Sequence, residues 1–264
     1  MCAHDFTQGW PGVSRWSLKL LDQVKDIAQE AGRAILDIYQ QDDVGIQTKR
    51  DQSPLTQADL ASHDIITKAL KQLTPDIPIL SEEGHTLAGE VDTFWCVDPL
   101  DGTKEFIQRN GEFTCNLALI DARRTIYGFV SVPVLGLLYH GGHRLGAKRL
   151  QRDGSESVIQ CTKQADLTRV VASKSHLNPE TEAFIATIET PVLLIQAGSS
   201  LKFLRIAEGA ADLYPRLAPT CEWDTAAAQA ILEGAGGSVT QLDNSSLVYG
   251  KSNILNPHFV AKAH

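Results

Sequence analysis

The most informative nine residues of the chain are Trp95-Cys96-Val97-Asp98-Pro99-Leu100-Asp101-Gly102-Thr103. The apolar residues that end at Val97 predict a short buried strand, and two aspartates follow it around a Pro-Leu pair. A turn after a strand can aim Asp98 and Asp101 at one point, and it leaves the backbone carbonyl of Leu100 as a third oxygen ligand. Oxygen-only ligand sets with several carboxylates suit magnesium or manganese better than zinc or copper.

The residues around this segment strengthen the prediction of a phosphate site. Gly102 and Thr103 predict the start of a helix, whose free N–H groups bind phosphate oxygens. A second acidic pair, Glu82 and Glu83, follows the preceding predicted strand over residues 77–80. Carboxylates for metal ions beside a helix N-terminus are the layout of a two-metal phosphoryl-transfer site. The residues alone are also compatible with a purely structural role, without metal or phosphate binding. An Asp-x-x-Asp-Gly segment is often a plain turn, and a Glu pair often lies in a solvated loop.

Composition excludes several classes of protein. The chain has 264 residues, of which 43% are hydrophobic and 21% charged, so it is an ordinary globular chain rather than a disordered, collagenous or coiled-coil one. The net charge of −8 argues against a nucleic-acid polymer as partner, because such binding depends on cationic patches. A small anionic ligand stays possible where metal ions lie between it and the carboxylates.

The same composition predicts a cytoplasmic protein. The longest apolar run, residues 129–139, is too short to span a bilayer, and the first seventeen residues contain no secretory apolar region. Five cysteines without a Cys-x-x-Cys pair are typical of reduced thiols. Peripheral association with the inner face of the cell membrane stays open.

His140 and His143 have a zinc-like spacing but no nearby thiolate or carboxylate, and we interpret this segment as a turn.

The order of predicted elements divides the chain into three parts. Residues 1–16 read as an N-terminal extension, residues 17–136 as a metal-binding α+β subdomain, and residues 137–264 as an α/β subdomain that contributes substrate contacts and the last metal ligand. In the first subdomain, Ser17 and Thr56 are predicted to cap two helices. An antiparallel pair is predicted over 114–121 and 127–134. The second subdomain is predicted to have strands over 170–172 and 192–196 that alternate with helices over 179–188, 200–208 and 224–233.

Two long motifs resemble one enzyme superfamily. Residues 95–103 and the segment Glu222-Trp223-Asp224-Thr225-Ala226-Ala227-Ala228 are similar to the two signatures of the inositol monophosphatase superfamily of metal-dependent phosphatases. Residues 98–107, 109–114, 199–203 and 213–216 resemble one branch of it, the bacterial 3'(2'),5'-bisphosphate nucleotidases of sulfate assimilation. The similarity runs from about Leu21 to the C-terminus. It implies an α/β (α+β) fold layered as an α-β-α-β-α sandwich, of the sugar-phosphatase or inositol-monophosphatase-like class.

The resemblance also implies a reaction and its residues. The expected reaction is magnesium-dependent removal of the 3'-phosphate from adenosine 3',5'-bisphosphate, which gives AMP. Two or three Mg²⁺ ions are implied, with five ligands: Glu82, Asp98, the Leu100 carbonyl, Asp101 and Asp224. Thr103, with Asp59 behind it, is implied to relay the proton of the attacking water, since a hydroxyl is a weak base alone. Seen alone, Asp59 could be a first-turn residue favoured by the helix dipole, and Asp224 a helix cap.

Substrate contacts are implied in both subdomains. The implied set comprises Glu82, Leu100, Asp101, Gly102, Thr103, His176, Ser199, Lys202, Arg216 and Asp224. Lys202 and Arg216 are natural partners for a second phosphate, which a monophosphate substrate would lack. Alternatively, Lys202 and Arg216 could lie on the solvated surface without binding substrate. His176 could be an ordinary loop histidine.

Other functions remain as alternatives at this stage. The same fold could act on inositol monophosphate or fructose 1,6-bisphosphate, and a catalytically silent binding protein could retain the fold. The complete set of implied acidic residues argues against a protein without catalytic activity, because the loss of one ligand would inactivate a two-metal site. Lithium sensitivity is a further expectation from the superfamily. The sequence leaves open whether the protein is a monomer or a homodimer.

Overall fold

Two β-sheets and the helices around them make up the fold. The computed structural model describes residues 17–49, 52–84, 87–89, 91–173 and 178–264, without the side chain of Leu18. The predicted extension over residues 1–16 lies outside these ranges. The helices are α1 (Leu18–Tyr39), α2 (Gln57–Leu73), α3 (Thr103–Ile107), α4 (Pro179–Ala186), α5 (Leu201–Ala207) and α6 (Glu222–Gly234). The described helices include none that is both long enough and apolar enough to cross a membrane.

The strands follow the same chain order. They are β1 (Gln47–Thr48), β2 (Pro54–Leu55), β3 (Ile79–Ser81), β4 (Phe94–Asp101), β5 (Thr114–Asp121), β6 (Arg124–Val132), β7 (Leu137–Gly142), β8 (Gly146–Leu150), β9 (Glu156–Ile159), β10 (Thr168–Ala172), β11 (Val192–Gln196), β12 (Leu213–Arg216), β13 (Ser238–Gln241) and β14 (Phe259–Lys262). Strands β1 and β2 form a small antiparallel ribbon of their own.

The larger sheet has seven strands in the order β3-β4-β5-β6-β7-β8-β9. Only β3 and β4 are parallel, and every later pair is antiparallel. Helices α1 and α2 pack against each other and cover one face, while α6 covers the other. Helices α1 and α2 begin where the sequence predicts. The Ser17 hydroxyl accepts a hydrogen bond from Leu20 N, and the Thr56 hydroxyl accepts one from Ala58 N.

The smaller sheet has five strands in the order β11-β10-β12-β14-β13. Helices α5 and α6 lie between the two sheets, and α4 packs on β12. One hydrophobic cluster contains side chains of both sheets and of these two helices, among them Ala118, Ala227, Phe203 and Phe259. The resulting order of layers is α-β-α-β-α, so the predicted sandwich is confirmed.

Helix α6 approaches the larger sheet unusually closely. It carries the small side chains Ala226, Ala227, Ala228 and Ala230, all buried. A Cβ atom placed on Gly128 of β6 would lie 2.1 Å from the Ala227 carbonyl oxygen. Backbone therefore meets backbone here, and the absence of a side chain at residue 128 sets the distance between helix and sheet.

Two details of the sequence prediction differ from the structure. The larger sheet continues past Gly136 into β7, β8 and β9, so the two sheets separate between Ile159 and Thr168 rather than near residue 136. We propose from this topology that the two subdomains divide where the two sheets separate. The predicted turn at His140 is strand β7 as far as Gly142, and only His143 starts a turn. The buried His140 ring instead contacts Tyr127 and Glu156, at 2.9 and 3.0 Å.

Candidate active site

The two aspartates of the first motif lie within a strand rather than after it. Strand β4 runs through to Asp101, with a shift in its pairing to β5 between Asp98 and Asp101. Asp98 lies opposite Asn116, and Asp101 lies opposite Thr114. The predicted turn is therefore a β-bulge, which inserts extra residues and redirects the side chains next to it. The bulge does what the turn was expected to do, because it brings both carboxylates to one end of the strand.

A third carboxylate comes from a distant part of the chain. Asp224 lies in the first turn of α6, and one ligand atom from each of Asp98, Asp101 and Asp224 lies within 4.8 Å of the others. Asp98 is buried, whereas the other two are partly exposed. Burial, followed by the neighbouring carboxylates, raises the pKa of Asp98 well above its usual value, and burial followed by Asp101 raises that of Asp224.

This cluster has the properties of a cation site. Among the described residues, no lysine or arginine forms an ion pair with any of the three carboxylates. Buried like charges without a counter-charge are costly, and a bound cation would remove that cost. The donor atoms are all oxygens, which fits a hard divalent ion such as magnesium. The residues present therefore fit the metal that the sequence predicts.

Three polar residues that sequence reasoning missed hold Asp101 in place. The Oδ2 atom of Asp101 accepts hydrogen bonds from Ser200 Oγ at 2.9 Å, from Asn116 Nδ2 at 3.3 Å and from Thr114 Oγ1 at 3.4 Å. Asn116 also donates to Ser200, at 2.9 Å, so Asp101, Asn116 and Ser200 form one small network. A signal for Asn116 exists in the sequence, because an amide inside an otherwise apolar strand needs a partner. Ser200 gives no such signal, since serine before a helix is read as a cap.

Removal of the Ser200 hydroxyl should weaken metal binding. We expect Ser200→Ala to lower the affinity for magnesium by about tenfold, because residues that orient a ligand typically matter at this level. Turnover at saturating magnesium should fall much less. Isothermal titration with magnesium, paired with rates across a magnesium series, separates the two effects. An unchanged magnesium affinity would contradict the positioning role, and Ser155→Ala, in an exposed turn, is the control.

Glu82 lies beside the cluster but is paired with a cationic side chain. Lys49 Nζ donates to Glu82 Oε1 at 2.7 Å and also to Glu83. Glu82 is nevertheless close enough to Asp98 to raise the pKa of that carboxyl, after burial itself. No sequence motif predicts this contact of Lys49. Glu82 and Glu83 are thus part of an ion-pair network rather than a solvated loop.

Asp59 makes both of the contacts that the sequence left as alternatives. Its Oδ2 accepts from the backbone N and the hydroxyl of Thr56, at 2.7 and 2.6 Å, which is the capping arrangement. Its Oδ1 accepts from Thr103 Oγ1 at 3.2 Å. Burial raises the pKa of Asp59, while the Thr56 hydrogen bonds oppose that shift. Thr103 also lies 3.3 Å from the Leu100 carbonyl oxygen, so the predicted catalytic pair touches the predicted ligand set.

A cationic recess adjoins the aspartate cluster. One cavity of about 140 Å³ is lined by Asp101 and Asp224 together with Ser199, Lys202 and Arg216. Lys202 is buried, and its one hydrogen bond to a described residue goes to the Ser199 carbonyl oxygen, at 2.6 Å. Burial lowers the pKa of Lys202 to about 8. Gly102 lines the same cavity.

Two polar atoms of the recess have no hydrogen-bond partner among the residues that the structure describes. They are the buried Ser199 Oγ and Arg216 Nε. Ser199 also has a left-handed φ of 41°, a conformation that non-glycine residues adopt rarely. Unused donors beside a lysine with two spare N–H groups are suited to an anion. The predicted contact His176 lies outside the described residues.

Comparisons with known proteins agree with this geometry. The model of the inositol monophosphatase family matches residues 17–264. The 3'(2'),5'-bisphosphate nucleotidase CysQ of Escherichia coli K12 is 42% identical over 246 residues, which cover 91% of this chain and 98% of that protein. The protein of the same name from Buchnera aphidicola is 38% identical, with 93% and 94% covered. The crystal structure of CysQ from Bacteroides thetaiotaomicron, a bacterial member of the family, has a TM-score of 0.81 at 40% identity and covers 93% of this chain and 98% of that one. The chain is therefore a phosphatase that belongs to the inositol monophosphatase family.

Proposed function

We propose that the protein is a magnesium-dependent 3'(2'),5'-bisphosphate nucleotidase that hydrolyses adenosine 3',5'-bisphosphate to AMP and phosphate. The observation that carries the proposal is that Asp101 and Asp224 line the same cavity as Lys202 and Arg216. The acidic side suits metal ions and the phosphate that is cleaved. The cationic side suits a second phosphate, which an inositol monophosphate does not have. The nucleotidase name of the relatives described above supports the same substrate.

The chain offers a complete ligand set for the metal. Glu82, Asp98, the Leu100 carbonyl, Asp101 and Asp224 would hold the magnesium ions. When bound, magnesium makes a water molecule more acidic and neutralises the charge that develops on phosphoryl oxygens. The Ser200 and Asn116 contacts fix Asp101, so less reorganisation is needed when the site is loaded.

Thr103 and Asp59 would handle the proton of the attacking water. The Thr103 hydroxyl donates to Asp59 Oδ1, which leaves its oxygen lone pairs free to accept a hydrogen bond from water. As that proton moves to Thr103 Oγ1, the hydroxyl proton would pass to Asp59. Burial raises the pKa of Asp59 and makes it a better proton acceptor than a solvated aspartate.

Lys202, Arg216 and Ser199 would bind the phosphate that is not cleaved. Within the described ranges, the Lys202 ammonium donates only to Ser199, and the buried Ser199 Oγ and Arg216 Nε have no partner. A phosphate there would satisfy all three at once. His176 remains a proposed contact to the nucleotide on the strength of the sequence resemblance alone.

The direct test is phosphate release by the purified protein. Adenosine 3',5'-bisphosphate, inositol 1-phosphate and fructose 1,6-bisphosphate are compared, each with magnesium and with EDTA. The expected result is turnover of the nucleotide that EDTA abolishes, with much slower turnover of the other two. Preference for a sugar or inositol phosphate would retain the metal site but overturn the nucleotidase proposal. No turnover of any substrate would point to a catalytically silent protein.

A change at Lys202 tests the selectivity mechanism. We expect Lys202→Ala to reduce kcat/KM for adenosine 3',5'-bisphosphate by about a hundredfold, because a buried charge-assisted contact is lost. The value for adenosine 3'-monophosphate, which lacks the second phosphate, should change little. Lys163→Ala removes an exposed lysine and serves as the control. An equal loss for both substrates would contradict a role in binding the second phosphate.

A further inference from the structure

A second, larger cavity lies at the opposite end of α6. Its volume is about 520 Å³, within the range of small-molecule sites. It is bounded by the start of β6, the turn between β7 and β8, the last turn of α6 and strand β13. Asp224 and Glu233 stand nine residues apart on α6, so the cavity lies about 13 Å along the helix from the aspartate cluster. None of the residues assigned to the phosphatase site lines it.

One wall of this cavity is basic. Arg124, His143 and Arg144 all line it. They are close enough to interact, because both guanidinium groups, after burial, lower the pKa of His143. Within the described part of the chain, neither arginine makes a side-chain hydrogen bond or an ion pair. Both side chains are exposed, and two guanidinium groups that no protein acceptor holds are suited to a planar or tetrahedral oxyanion.

The facing wall carries buried polar groups. Ser238 Oγ is buried, and no described residue hydrogen-bonds to it. The Glu233 carboxylate accepts one hydrogen bond, from Gln229 Nε2 at 2.8 Å. Burial raises the pKa of Glu233 to about 6, whereas Arg124 acts in the opposite direction. A buried hydroxyl without a partner is costly, so the fold retains a group that a ligand could satisfy.

We propose that this cavity binds a small molecule that carries an oxyanion. Arg124 and Arg144 pair with the oxyanion, and Ser238 Oγ hydrogen-bonds to the same molecule. Glu233 accepts a hydrogen bond from a hydroxyl or amine elsewhere on it, which distinguishes the ligand from a simple inorganic anion. The site is separate from the phosphatase site and does not depend on which substrate that site cleaves.

The test uses sulfate as the probe and removes competing sites. Sulfate binding to the full-length protein is measured by isothermal titration calorimetry with EDTA present and ionic strength fixed. Every protein carries Lys202→Ala, so that binding beside the aspartate cluster is weakened throughout. The double change Arg124→Gln with Arg144→Gln removes the basic wall. The double change Arg33→Gln with Arg205→Gln removes two exposed arginines that do not line one cavity, and it alters net charge equally.

The two double variants should behave differently. We expect loss of the basic wall to weaken sulfate binding by at least about tenfold, and the control pair to leave it unchanged. Ser238→Ala should weaken binding by a smaller factor, about threefold. Equal sulfate affinity in the two double variants would overturn the proposal. So would the absence of any binding to the parent protein up to about 50 mM sulfate, which is weaker than most specific sites. All four changed side chains of the double variants are exposed, and far-UV circular dichroism checks that each protein is folded.

Discussion

Replacement of Asp98 by asparagine should abolish turnover and, without metal, make the fold more stable. The buried carboxylate of Asp98 lies near the carboxylates of Asp101 and Asp224, and no lysine or arginine in the described ranges forms an ion pair with any of the three. Asparagine keeps the shape but removes a charge and one of the oxygens proposed to bind the metal. We expect phosphate release to fall about a thousandfold, because loss of metal positioning removes its stabilisation of the developing charge. In EDTA the free energy of unfolding should rise by about 1 kcal/mol, since one repelling charge is gone.

With magnesium present, the parent protein should be more stable than Asp98→Asn, the reverse of the order expected in EDTA. At a concentration a hundred times its dissociation constant, a bound ion stabilises the parent protein by about 2.7 kcal/mol, whereas the variant gains little. Thermal unfolding with EDTA and with magnesium measures both effects, and a phosphate-release assay measures turnover. Asp64→Asn, on the exposed face of α2, is the matched control and should change neither. Retained activity in Asp98→Asn would rule out the metal site, and a less stable metal-free variant would contradict the repulsion argument.

Addition of a single methyl group at Gly128 should have the largest effect on stability. The new Cβ atom would lie 2.1 Å from the Ala227 carbonyl oxygen and 2.8 Å from its carbonyl carbon. These are backbone atoms in the middle of α6, so the helix itself must move. We expect Gly128→Ala to reduce the free energy of unfolding by about 3 kcal/mol, at the upper end of overpacking costs. Urea unfolding followed by circular dichroism measures the change.

The matched control is a glycine in open space. Gly154 has a φ of +85° and nothing within 4 Å of its missing Cβ atom. Gly154→Ala should therefore cost only the backbone strain of a left-handed residue, about 1 kcal/mol. If Gly128→Ala proved no more destabilising than this control, α6 would have to be more loosely attached to the sheet than its geometry indicates. Gly128→Ala should also weaken magnesium binding, because Asp224 moves with the helix.

Much of the site could be predicted from the sequence, for reasons that differ between residues. Asp98, Asp101 and Asp224 belong to two long motifs, and the structure brings their carboxylates within 4.8 Å of one another. The Asp59 to Thr103 contact was also predicted and is present at 3.2 Å. No local rule would have joined these positions, because their proximity depends on how the helices pack on the sheet. The motif resemblance supplied that information.

The parts that escaped prediction depend on tertiary contacts. The continuation of the larger sheet beyond Gly136 was missed because Gly141, Gly142 and Gly146 weaken the signal for β7 and β8. Lys49 was missed because nothing near it in the sequence shows that it reaches Glu82. Ser200 was missed because its partner, Asp101, is 99 residues away. The bulge at Pro99 was read as a turn, since both place extra residues between two strand positions.

The position of α6 between the two sheets has a consequence for how the molecule opens. Its buried Ala226, Ala227 and Ala228 belong to the hydrophobic cluster that contains side chains from both sheets. Neither sheet can separate from the other without exposing this helix to water, so the two halves of the molecule form one cooperative unit. The amide hydrogens of α6, β5 and β6 should consequently exchange with solvent only through global unfolding. Edge strand β11, where Val192, Leu193 and Leu194 are exposed, is free to exchange by local fraying.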